Sequence, residues 1–338
     1  MSRVPFLTPV LALVAALPAA SQAPDTVSIR EWTVPWPNSR PRDPAVAPDG
    51  KIWFVGQVGN YVARLDPVSG AFKRFEVDSG AFPHDVIVDA KGYAWYAGNQ
   101  NGTIGRIDPA TAAITRYKMP SPDARDPHTQ VFDKQGNIWF TLQMSDQVGR
   151  LNMASGRIDL VKMTTPNARP YGITLDPEGR PWFDLFGSNK IGTIDPKTLA
   201  LKEYTLPDPK SRPRRIARTT DGAIWYDDYT RGFLGRLDPK TGAVKEWANP
   251  SGRTSLPYAM TVDDADRLWF VETGVQPNRL VGFDPRTGKF FSQTSIPSGG
   301  GTVRYMIFDP RARVLWFGTD NNTIGRAQVP PAKSNVTS

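Results

Sequence analysis

Residues Asp126–Asn152, DPHTQVFDKQGNIWFTLQMSDQVGRLN, set out a design that Arg169–Pro196, RPYGITLDPEGRPWFDLFGSNKIGTIDP, repeats with different decoration. Both carry a proline, a large side chain, a short β-rich run, a glycine-centred turn, a Trp-Phe pair, a polar loop and a closing strand. The tryptophans mark the period: Trp53, Trp95, Trp139, Trp182, Trp225, Trp269 and Trp316, in steps of 42, 44, 43, 43, 44 and 47 residues. No copy has an apolar pattern of helical period, so a repeat of this length predicts stacked sheets. With 29 glycines and 32 prolines the 338-residue chain is equipped for tight turns.

Each copy yields four strands. Strand A follows the proline, as in His84–Asp89, and an Asp-Gly, Gln-Gly or Glu-Gly turn (Asp49-Gly50, Gln135-Gly136, Glu178-Gly179) leads to strand B with its Trp. Strand C is of the IGRID type (Ile104–Asp108, Leu234–Asp238), and a D-P-x-x-G turn such as Asp66–Gly70 leads to strand D. The last copy stops at Ile324–Val329 without a strand D. Ile29–Pro35 (IREWTVP), near the beginning, matches Leu201–Pro207 (LKEYTLP), which is such a strand. The expected fold is therefore all-β: a seven-bladed β-propeller of four-stranded antiparallel blades, closed by an N-terminal strand joining the last blade. The Trp of each strand B is expected to pack between blades.

Flanking segments complete the organisation. Arg3, the apolar run Val10–Ala20 and Ser21-Gln22-Ala23 form a signal-peptide pattern over residues 1–23, too short to span a bilayer. The propeller is assigned to 24–330 and a disordered tail to 331–338. The protein is thus expected to be exported, periplasmic or secreted, and monomeric, with no membrane span. Absence of cysteine excludes disulfides and thiolate chemistry. A net charge of +8 favours anionic partners; for an exported protein, nucleic acid is not among those expected.

In a four-stranded meander the A–B and C–D turns share one face and the variable loops share the other, where function is expected. The residue after the proline opening each strand A should ring the channel mouth there: Ala45, His84, His128, Tyr171, Arg214, Tyr258 and Tyr305. Both histidines of the chain occupy this position, in adjacent blades. Neutral imidazoles suit proton abstraction, which makes His128 the candidate base, assisted by His84 or Tyr258. Tyr171, Arg169, Arg214 and Tyr305 are candidate substrate-binding groups, and Arg212, Arg215, Arg218 and Arg304 add positive charge nearby. Asp126, two residues before His128, is placed either to orient that imidazole or to serve a turn. Three residues after the Trp, only blades 5 and 6 carry carboxylates, Asp228 and Glu272, either metal ligands or partners for the arginines. The chain has no H-E-x-x-H, P-loop or G-x-S-x-G.

The repeated P-x-x-I/V, (I/L)-W-F and I-G-R-I-D segments, from about Ile29 to Val329, resemble the virginiamycin B lyase (streptogramin lyase) family. The resemblance implies a Mg²⁺-dependent lyase that opens a cyclic depsipeptide lactone by elimination. In that family a P-H histidine is the base, and a W-F-T-E glutamate 14 residues on holds the metal, both in the final blade. Here W-F-x-E is Trp269-Phe270-Val271-Glu272, with Tyr258 where the histidine would stand. P-H occurs as Pro83-His84 and Pro127-His128, and the final blade offers Tyr305 and Thr319. The sequence thus leads to a metal-assisted lyase acting on a small, anionic or lactone- or ester-containing molecule at the channel mouth. Two alternatives stay open: a non-catalytic binding propeller and a gluconolactonase-type hydrolase.

Overall fold

The computed structural model describes residues 25–331. The signal-peptide segment 1–23, and all of the tail 331–338 except Pro331, lie outside the described residues. Seven four-stranded antiparallel sheets succeed one another around an axis, as the tryptophan period requires. Blade 2 is representative, with strand A at Pro83–Val88, B at Ala94–Gly98, C at Thr103–Ile107 and D at Ile114–Lys118. Strand A begins on the proline itself, one residue earlier than expected.

Ring closure follows the sequence match. Ile29–Thr33 pairs antiparallel with Thr323–Gln328, completing the seventh sheet from the other end of the chain. Trp32 then occupies the place that strand D aromatics hold elsewhere. Trp53 stacks on Phe75 at 4.8 Å, Trp95 on Tyr117 at 5.6 Å, Trp225 on Trp247 at 5.4 Å and Trp316 on Trp32 at 5.5 Å between centroids. Glu31 strengthens the closure by accepting hydrogen bonds from Ser298 N (2.7 Å) and Thr323 Oγ1 (2.5 Å).

Apolar clusters lie between neighbouring blades, as expected of the tryptophans: Trp53 and Val55 of blade 1 pack with Val86 and Tyr96 of blade 2. The indole N–H of Trp95, Trp139 and Trp269 donates to the aspartate six residues earlier, so these buried rings keep their polar atom satisfied. The glycine of the IGRID strand is a steric requirement. A Cβ on Gly105 would stand 2.2 Å from the Tyr96 ring, which crosses the strand there.

The feature that positions the site is a bulge at the start of strand A. In blade 3, Pro127 pairs with Leu142 and Gln130 with Phe140, so three steps on one strand face two on the other. The same shift occurs in blades 1, 2, 4, 5 and 6. A bulge re-aims side chains and is a recurrent device beside functional sites. Here it presents two consecutive residues after each proline to the channel. The residue before that proline is itself left-handed in four blades, at Arg40, Phe82, Arg169 and Leu256, with φ between 40° and 53°. Such backbone costs about 1–3 kcal/mol per residue and is retained only where the surroundings impose it.

The closing strand generates a stability prediction. Trp32→Ala removes a buried indole, and losses of about 3–5 kcal/mol are typical of that change. Urea unfolding should show the midpoint falling with the slope unchanged; a loss below about 1 kcal/mol would mean that the seam contributes little.

Candidate active site

The two-residue bulge builds two layers at the mouth. The outer layer is Arg42, His84, His128, Tyr171, Arg214, Tyr258 and Tyr305; beneath it lie Asp43, Asp85, Thr129, Gly172, Arg215, Ala259 and Met306. Blade 1 corrects one expectation. Its strand opens at Pro41, so Arg42 holds the ring position, whereas Ala45 pairs with Trp53 in the inter-blade core. The constant interval between opening proline and strand B tryptophan, 12 residues in blades 1 to 6, was the signal that selects Pro41 over Pro44.

The structure brings both histidines together. Their ring centroids are 3.4 Å apart and the rings are inclined at 35°. The His128 ring also lies 4.1 Å from that of Tyr171. Nδ1 of His128 is hydrogen-bonded to Thr129 Oγ1 at 2.9 Å, and Nδ1 of His84 is 3.9 Å from Asp43 Oδ2. Both imidazoles are held well below their usual pKa: first by burial, then by the guanidinium groups of Arg42 and Arg215, with His128 adding to the effect on His84. At neutral pH both are therefore uncharged.

Arg215 crosses the channel. Its guanidinium donates to Arg304 O (2.9 Å, Nε) in blade 7 and to Thr129 Oγ1 (3.0 Å) in blade 3, and it lies 3.6 Å from Asp43 Oδ2 in blade 1. Arg214 stacks over Tyr258 at 3.7 Å and Tyr229 at 4.2 Å. The Tyr171 and Tyr258 hydroxyls are hydrogen-bonded to each other. Burial pushes the Tyr171 phenol up, but Arg214, Arg215 and Arg42 outweigh it and bring it down to about 8. Burial and Tyr171 push Tyr258 up to about 12. Arg169 sits at the rim, its guanidinium 5.8 Å from the Phe186 ring, and Tyr305 faces Arg215 at 4.8 Å.

The other candidate groups lie elsewhere. Asp126 accepts from Met144 N and from the Ser145 hydroxyl, so it holds the B–C loop and does not orient His128. Arg218 donates to Thr219 O and lines a cavity of about 460 Å³ at the opposite face. Glu272 is fully buried and turned into its own loop, where its two oxygens accept from Ser251 N (2.8 Å) and Ser251 Oγ (2.6 Å). Asp228 does the same for the neighbouring blade, accepting from Arg212 N and Arg231.

The virginiamycin B lyase family matches residues 23–227. This chain belongs to that family. A streptogramin B lyase structure is similar over its whole length and over 92% of this chain, at 28% identity and a TM-score of 0.82. Virginiamycin B lyase from Staphylococcus aureus shares the fold, at 23% identity and a TM-score of 0.81 over 90% of this chain and all of its own. So does its catalytically inactive histidine-to-alanine variant with quinupristin, at 24% identity and a TM-score of 0.81 over the same shares. No curated protein matches the chain.

The Mg²⁺ implied by the family does not fit Glu272, which the resemblance nominates, or Asp228, which its position after the tryptophan nominates. Glu272 would have to release Ser251, and Asp228 would have to release Arg231. Among the described residues no three His, Asp or Glu side chains come together as a metal site.

The arginine cluster makes Tyr171 a reporter of the site. Of the ten tyrosines, one should ionise near pH 8, seen as phenolate absorbance in an alkaline titration. Tyr171→Phe should abolish that step. Because the folded phenol ionises below its usual value of about 10, its contribution to stability grows from pH 8 upward and is lost as pH falls through 8. A titration with no tyrosine ionising before about pH 9.5 would contradict the assignment.

Proposed function

We propose that this protein is an exported lyase that opens a lactone or ester in a small molecule by eliminating its carboxylate at the channel mouth. One observation supports this above the others: two imidazoles, with ring centroids 3.4 Å apart, share one opening and are kept uncharged by burial and arginine. An uncharged imidazole among guanidinium groups is a base beside fixed positive charge, which proton abstraction next to a carbonyl demands.

The reaction would run as follows. In the tautomer whose Nδ1–H is bonded to Thr129 Oγ1, His128 presents its Nε2 lone pair, which removes a proton from the carbon adjacent to a carbonyl. His84, or Tyr258, assists. Those electrons form a carbon–carbon double bond to the next carbon, whose bond to the ester oxygen breaks. The carboxylate departs without addition of water. Arg214 and the hydroxyls of Tyr171 and Tyr258 face the charge that develops on oxygen, and Arg169 and Tyr305 line the approach. Export rests on the pattern of residues 1–23.

A second reading has its own observation. His84 and His128 are 4% and 2% exposed, as expected of a binding propeller whose histidines hold the channel together. Turnover of a panel of depsipeptide lactones and simple esters separates the readings. The lyase reading expects a product of the same mass as the lactone, and a loss of about 100-fold or more in His128→Ala. A product heavier by one water would mean hydrolysis. No turnover of any ester, with ligand binding retained in the histidine variants, would leave the binding propeller.

A further inference from the structure

The arginines at the mouth are more numerous than the carboxylates that face them, and their donors are not all used. Arg42 Nη2, Arg214 Nε, Arg215 Nη2 and Arg304 Nε are each buried without a hydrogen-bond partner. Arg42 and Arg215 are themselves only 4% and 2% exposed. The Tyr258 ring is approached by three of these groups, Arg214 at 3.7 Å, Arg215 at 5.7 Å and Arg304 at 5.9 Å. A buried guanidinium N–H with nothing to donate to is costly, because the lost hydration has no replacement.

Only two acids pair directly with these arginines among the described residues. Asp43 faces both Arg42, at 2.9 Å, and Arg215, at 3.6 Å, and Asp320 binds Arg304. Arg214 pairs with no carboxylate among the described residues. Asp85, Asp184 and Asp227, which lie deeper, are pushed well above the usual carboxylate range: all three by burial, Asp85 also by Asp43 and Asp227 by Asp184. Burial thus disfavours their charged form. The same field depresses both imidazoles and pulls down the Tyr171 phenol. Two kinds of titrating group, imidazole and phenol, therefore register the guanidinium charge at one place.

We infer that the mouth is a carboxylate-binding site, in which Arg214, Arg304, Arg42 and Arg215, with the Tyr171 and Tyr258 hydroxyls, hold an anion and supply the positive charge that a divalent cation would otherwise bring. Arginine suits this role because its planar fork matches a carboxylate with two parallel hydrogen bonds. A divalent cation entering the same space would meet four guanidinium groups, while Glu272 and Asp228 stay engaged in their own loops. The link to catalysis rests on the elimination reading: the carboxylate released by ring opening is the anion this site would take. Anion binding itself needs no turnover.

The test is thermal unfolding of the intact protein with sodium acetate, sodium chloride at matched ionic strength, magnesium chloride, or chelator. Acetate should raise the midpoint by about 2–4 °C over chloride, and magnesium and chelator should leave it unmoved. Arg214→Gln should abolish the acetate increment, and so should Arg304→Gln, a second variant should the first fail to fold. Arg214→Lys, which keeps the charge and loses the fork, should retain part of it. A general stabilising effect of acetate would persist in both glutamine variants and would overturn the site. So would an acetate response equal to that of chloride, or a magnesium stabilisation reversed by chelator. If acetate binds and no ester is turned over, the carboxylate site stands and the lyase reading fails.

Discussion

The arrangement at the mouth depends on one side chain, Arg215. Its guanidinium is contributed by blade 5, and it reaches a backbone carbonyl of blade 7, a threonine of blade 3 and an aspartate of blade 1. A buried guanidinium in a low-dielectric interior acts strongly on every titrating neighbour. It lowers both imidazoles and Tyr171, and it fixes the Thr129 hydroxyl to which His128 is bonded. One cation thus serves as a tie between blades and as the source of the electrostatic character of the site. Its own position follows from the bulge after Pro213, which gives strand A two consecutive residues directed into the channel.

Much of this was legible in the chain. The tryptophan period gave seven sheets, and the likeness of IREWT to LKEYT gave the closing seam, because the strand D aromatic must stack on the strand B tryptophan. Both histidines were placed at the mouth by their position after proline. Arg42 is harder to read, because Pro44 also precedes a strand-like run and only the 12-residue interval to Trp53 points to Pro41. The second layer, Asp43, Asp85 and Arg215 above all, depends on the bulge. A bulge adds one residue to one strand and shifts the phase of its alternation, which the sequence of so short a strand does not locate.

Asp126, Asp228 and Glu272 show a different limit. Each is a carboxylate at the edge of the functional face, and each turns into a loop to satisfy backbone N–H or hydroxyl donors. Loop backbone must find acceptors when it is buried, and a short acidic side chain at a strand end is a ready supplier. Sequence position cannot separate an acid that caps a loop from one that faces a ligand. Within the virginiamycin B lyase family this chain keeps the seven-bladed scaffold, and its two histidines stand in blades 2 and 3.

Positive charge and burial together keep both imidazoles uncharged around a single opening. Because the chain contains only two histidines, proton NMR of the imidazole C–H signals across an acid titration tests it with minimal ambiguity. The expected result is that both rings titrate well below the usual value of about 6.5, with the two signals responding to each other. Either histidine titrating at or above 6.5 would contradict the account.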